Sequence, residues 1–212
     1  MDDAEKTRLL SALTTEHFVL QSAASSTISE SAARSSLYVF ALSSALVAMG
    51  FTARSDAFVP FVAAVLPALF LLGLFTVVRL VDTVLENMQY LAGIARIRAH
   101  YRAISPEAAE LFAARDGRWP ESFDEPSLRF GNLLAFFGTT ASMVAIINSV
   151  VAGAGVALAV NHGLGGDRTG IALAAGAAVT VLLTVLFVLY QRWRFATLRL
   201  AVRPGRVPGP RK

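Results

Sequence analysis

Three histidines, two acidic residues one helical turn apart and a lone asparagine in a long apolar run are the side chains best placed for chemistry in this chain. If residues whose numbers sum to roughly 110 lie level across a hairpin, His17 sits level with position 93. His100 is then about 10 Å further along, and His162 lies in a different part of the chain, so a shared metal site is not expected. Asp82 and Glu86 have the spacing to offer two carboxylates to one cation, but a solvated acidic helix face has the same spacing. No GxSxG elbow, HExxH pair or phosphate-binding loop is present, and the serines are too numerous for any one to stand out as a nucleophile. Gly153 and Gly155 form a GxG without a third glycine, a preceding strand or a helix start behind it, which reads as packing. The expectation is a non-enzymatic protein with no cofactor and no metal.

Asn148 is the strongly polar residue near the middle of an apolar run. It either hydrogen-bonds a neighbouring helix or a symmetry mate, or lines a pore. No Asp, Glu, Lys, Arg or His accompanies it at that depth, as proton- or ion-coupled transport would ask. Glu30 and Arg79 are expected to lie level at the inner edge of the membrane, where an arginine either takes a carboxylate partner or snorkels to the phosphates. Trp193, flanked by Arg192 and Arg194, belongs at the level of the lipid head groups.

These readings depend on the elements that hold the residues. The mean hydropathy of +0.56 and a charged content of only 16% exceed the apolar share of an ordinary water-soluble domain. Four runs without an interior charge, residues 35–53, 57–78, 133–160 and 171–190, each reach the length of about 20 residues that crosses a bilayer. The start, MDDAEKTRLL, is acidic, so no signal peptide is expected. Of the nineteen Lys and Arg residues, only Arg54 and Arg168 fall in the short loops after the first and third runs. The positive-inside rule therefore puts both termini and the central segment in the cytoplasm. The pI near 10.0 fits anionic lipids better than nucleic acid, because no aromatic residues interleave with the arginines. No cysteine is present, which excludes disulfides and thiolate metal sites.

Leu10, Leu13, His17, Leu20, Ala24, Thr27, Ser31, Arg34, Tyr38, Ala41, Ala45 and Ala48 recur at spacings of three and four. With no Gly or Pro before position 50, this predicts one helix from about Ala4 to Phe51. Val81, Val84, Met88, Leu91, Ala95 and Arg98 extend the second helix in the same way, from about Ala57 to Ile104, where Ser105 can cap and Pro106 open a short helix. The run QSAASSTISESAARSS at residues 21–36 then becomes a small face for the bulky residues of 74–89.

The expected architecture is all-α: a polytopic membrane bundle of four transmembrane helices, the first two continuing into a long antiparallel cytosolic hairpin. Its parts are a cytosolic N-terminal helix (1–34), a transmembrane hairpin with cytosolic extension (35–104, the extension being 79–104), a cytosolic connector with a short helix (105–130), a second transmembrane hairpin (131–202) and a disordered basic tail (203–212). Pro126 is read as the start of the third helix. Gly138, Ala141, Ala145, Asn148, Ala152, Gly155 and Ala159 form its small-residue seam, matched on the fourth by Gly170, Ala174, Ala177 and Thr184.

The stretch EHFVLQSA, followed by LFLLGLFTVVRLVDTVLENMQYLAGIARIRAHY, resembles a group of uncharacterised four-span integral membrane proteins of high-GC actinobacteria. The high share of arginine over lysine points the same way. The resemblance implies the bacterial cytoplasmic membrane and brings no activity or functional residues. The leading expectation is a self-associating membrane protein in contact with anionic lipids, whose helical cytosolic stalk, about 36 Å long, meets a protein partner or signal. The alternative is an oligomeric ion channel or pore-forming effector.

Overall fold

The computed structural model describes residues 2–112, 139–164 and 168–202, which are helical apart from the short connections between helices and contain no strand. Five helices follow in order: α1 (Asp3–Thr52), α2 (Phe58–Arg102), α3 (Pro106–Leu111), α4 (Thr140–Gly163) and α5 (Thr169–Val202). Four of them, all but α3, are long and apolar enough to cross a membrane. Pro126, Gly138, the loop 113–130, the first part of the expected third span and the basic tail lie outside the described residues. The chain divides into two compact units, one of Met1–Ala33 with Asp82–Thr139, the other of Arg34–Val81 with Thr140–Lys212.

α1 is a single 50-residue helix despite its serine content. Hydroxyl side chains normally weaken helices by competing for backbone groups. Here they bond to carbonyls of their own helix instead: Thr7 to Asp3, Thr14 to Leu10, Thr15 to Ser11, Ser29 to Ser25, at 2.9–3.2 Å. The face turned inward follows the three-four seam, from Leu10 and Leu13 through Ala24, Thr27 and Tyr38 to Ala45 and Ala48. One member departs: Arg34 is exposed and Ser35 takes its place as the buried residue. The seam steps by four and then three there, so the long charged side chain stays outside.

In the first unit, three contacts fix how α1 meets α2. Thr27 donates to Asn87 Oδ1 at 3.2 Å, Leu20 lies against Gly93, and the Thr14 and Tyr101 hydroxyls are 3.3 Å apart. Positions rise on α1 as they fall on α2, and each partner lies about one helical turn further along α2 than an equal count from the loop would put it. That count treats the helices as parallel rods, whereas packed helices cross at an angle and level positions drift along them. Leu85, Ile94 and Ile97 on α2 are buried in this unit, each contributing roughly 1.5–3 kcal/mol relative to exposure in water.

α3 starts as its sequence suggests. Ser105 is the N-cap, its hydroxyl accepting from the Ala108 amide at 3.1 Å, and Pro106 occupies the first turn, where a missing N–H costs nothing. Ser105→Ala should cost about 1 kcal/mol of local stability. Hydrogen exchange should then speed up at the Ala108 amide while the amides of α2 before residue 100 stay unchanged.

In the second unit α4 and α5 lie against each other so closely that backbone meets backbone. A Cβ at Gly176 would sit 2.5 Å from the Gly153 carbonyl oxygen and 2.9 Å from the Ala157 Cβ. The Thr180 hydroxyl crosses the interface to the Ser149 carbonyl at 3.3 Å while also bonding to Gly176 of its own helix. The face of α5 expected to pack is corrected by these contacts. Gly170, Ala174 and Ala177 are exposed, and Ala172 and Gly176 are buried instead. Residues 172 and 174–178 are all Ala or Gly, so small size marks every face of this stretch alike; the Gly153 approach and the Thr180 hydroxyl select the one used. On α4, Ala141, Ala145 and Asn148 are buried as expected, and Ala159 is exposed.

Candidate functional site: a buried amide network and a cleft

Asn148, on α4, is almost fully buried in the second unit. Its Nδ2 donates to the Phe70 carbonyl of α2 at 3.2 Å, and its Oδ1 accepts from the Tyr38 hydroxyl of α1 at 3.2 Å. The carbonyl of Phe70 can only accept, which fixes the orientation of the amide and makes the tyrosine the donor. Tyr38 itself is completely buried. Gly73 makes the arrangement possible, because a Cβ at that position would fall on the Asn148 carboxamide. One side chain thus ties three helices together. Nearer the start of α4, the buried Ser142 hydroxyl points to Gln191 Oε1 of α5 at 3.4 Å.

These bonds join one helix to another. Other hydroxyls of the apolar helices bond within their own helix: Thr52 to Ala48, Thr76 to Leu72, Ser149 to Ala145 and Thr184 to Thr180, at 2.7–3.1 Å. A polar side chain satisfied in this way needs no water.

The remaining sequence candidates are scattered. Gly153 is the α4–α5 contact, and Gly155 faces Leu66 of α2, whose Cδ1 would be 3.3 Å from an added Cβ. Trp193 is 60% exposed, its ring 6.3 Å from that of Tyr190 at 44°. Glu30 is half-buried in the first unit and Arg79 half-buried in the second, and both are engaged with other groups. Asp82 and Glu86 are likewise engaged, and no cluster of three metal-ligating side chains occurs among the described residues. His100 and His162 are exposed.

A cleft of about 480 Å3 opens in the first unit between α1, α2 and the residue after α3. Its walls are Thr14, His17, Phe18, Gln21 and Ala24 from α1, Leu91, Ile94, Ala95, Arg98 and Tyr101 from α2, and Phe112. In the observed register Thr14 faces Tyr101, which brings His17 level with Arg98 one turn on, and Ala24 level with Leu91. The Nδ1 atom of His17 is shut off from solvent and has no hydrogen-bond partner. Sequence reasoning read His17 as a member of the α1 seam and weighed it as a metal ligand, not as the wall of a cleft, because a cleft depends on a register that a count from the loop places one turn away.

No protein family, curated protein or solved structure matches this chain.

Proposed function

We propose that this chain is a multi-pass, non-enzymatic integral membrane protein that self-associates and presents the outer parts of α1 and α2 as an antiparallel cytosolic hairpin for a protein partner or signal. One observation carries the membrane reading. Only 11–33% of the most apolar stretch of each long helix is buried. Leu37, Phe40, Phe75, Val181, Leu182 and Leu189 point outward, while Tyr38, Ser142, Asn148 and Gln191 are enclosed. Water would favour the reverse distribution; hydrocarbon favours this one.

The hairpin is supported by the contacts of Thr14, Leu20 and Thr27 with α2, and the cytoplasmic termini by the distribution of basic residues. Trp193 beside Arg192 suits a head-group boundary rich in anionic lipid. Arginine-rich composition and the actinobacterial resemblance favour a bacterial cytoplasmic membrane. The channel alternative has less behind it, since the deepest amide is held by Tyr38 and Phe70.

Because the chain has no cysteine, each one introduced is unique. In intact cells a membrane-impermeant maleimide should label Asp56→Cys at once and Ser11→Cys only after permeabilisation. Labelling of Ser11→Cys from outside would reverse the topology. Light scattering in detergent should give more than one protomer, and reconstituted liposomes should show no ion flux above protein-free controls; a flux would favour the channel.

A further inference from the structure

We propose that the cleft of the first unit is a binding site for a single-chain carboxylic acid, its head group held between His17 and Arg98 and its hydrocarbon tail lying along Phe18, Ile94 and Phe112. The volume of about 480 Å3 falls in the range of small-molecule sites, roughly 300–1,000 Å3. Most of the lining is apolar, and its polar groups differ in what they have left to offer. The Thr14 hydroxyl donates to Leu10 of its own helix, so the Tyr101 hydroxyl, 3.3 Å away, spends its proton on Thr14. His17 Nδ1 is buried without a partner, a state that a buried polar atom keeps only at a cost.

Arg98 stands level with His17 and supplies the positive charge. It is engaged within the protein, and its guanidinium carries five donors. No Asp or Glu lines the cleft among the described residues, which disfavours a cationic ligand, and one full positive charge matches one carboxylate better than a phosphate dianion. As the ring stands Nδ1 is closed to the cleft, so donation to a carboxylate oxygen requires the imidazole to turn about its Cβ–Cγ bond, which exchanges the positions of Nδ1 and Cδ2 and ends the orphaned state. The ligand site goes beyond the membrane reading and does not depend on it.

The test uses the full chain in nanodiscs and a dodecanoic acid bearing a mid-chain diazirine, photolysed and mapped by mass spectrometry. Labels are expected on peptides covering residues 14–24 and 91–98, displaced by unlabelled dodecanoate and not by dodecanol. Arg98→Gln should lower labelling about tenfold, the scale of one charge-assisted hydrogen bond. Ala95→Phe, which fills the cleft without removing a polar group, should abolish it. Dodecanol competing as well as dodecanoate would overturn the carboxylate recognition. Labels confined to the four apolar runs, or unchanged in both variants, would overturn the site and leave the cleft to a protein partner. Should Ala95→Phe fail to fold, Arg98→Gln decides alone.

Discussion

Gly153→Ala should destabilise the protein by about 2–3 kcal/mol, whereas the same substitution at Gly50 should stabilise it by up to about 1 kcal/mol. Both glycines lie inside helices, and alanine is the better helix former at each. The difference is what the new methyl meets. At Gly153 it would run into the Thr180 hydroxyl and the Gly176 carbonyl. The carbonyl is backbone, so relief requires α4 and α5 to separate along their length, giving up the dispersion contacts and the Thr180–Ser149 bond that close approach provides. At Gly50 nothing lies within 4 Å. Thermal unfolding in nanodiscs should show shifts of opposite sign; two stabilising shifts would mean that α4 and α5 are not in backbone contact.

Asn148→Asp should cost about 3 kcal/mol at neutral pH, more than Asn148→Leu at about 1–2 kcal/mol. The aspartate is nearly isosteric, so packing against Gly73 survives, and the Tyr38 hydroxyl can still donate to it. The loss arises at the other oxygen, which when ionised faces the Phe70 carbonyl, acceptor against acceptor, with a charge at hydrocarbon depth. Leucine removes both bonds and orphans the Tyr38 hydroxyl. Adding Tyr38→Phe to Asn148→Leu should therefore cost less than the two separate losses together, because the orphaned group is gone. Strict additivity would show that Tyr38 and Asn148 do not interact, and a harmless Asn148→Asp would show that the amide does not face Phe70.

The parts of this architecture that were legible beforehand are those set by local periodicity. The three-four recurrence from Leu10 to Ala48 describes the inner face of α1 with a single displaced member, Arg34, because a helix repeats its facing residues whatever it packs on. The Ser105–Pro106 start of α3 was readable for the same local reason. The pairing of Tyr38 with Asn148 was not, since it depends on how three helices cross. Gly73 was the available hint: a glycine inside LLGLF, where alanine would give a better helix, marks a place where something comes close. On α5 a surfeit of small residues hid the packing face, and on α1 a register one turn away from the equal count hid the facing of His17 and Arg98. The cleft became visible only with that register.

The membrane account holds that apolar side chains exposed in the fold meet hydrocarbon and not water. Phe40, Phe75 and Leu182 are exposed residues on three different helices. Spin labels attached to Phe40→Cys, Phe75→Cys and Leu182→Cys, with the protein in liposomes, report what surrounds them through collisions with oxygen, which concentrates in hydrocarbon, and with a nickel chelate, which stays in water. The account predicts that oxygen broadens all three while the chelate scarcely reaches them, with a label at Ser11→Cys behaving in the opposite way. Free access of the nickel chelate to Phe40, Phe75 and Leu182 positions would place those faces in water and contradict it.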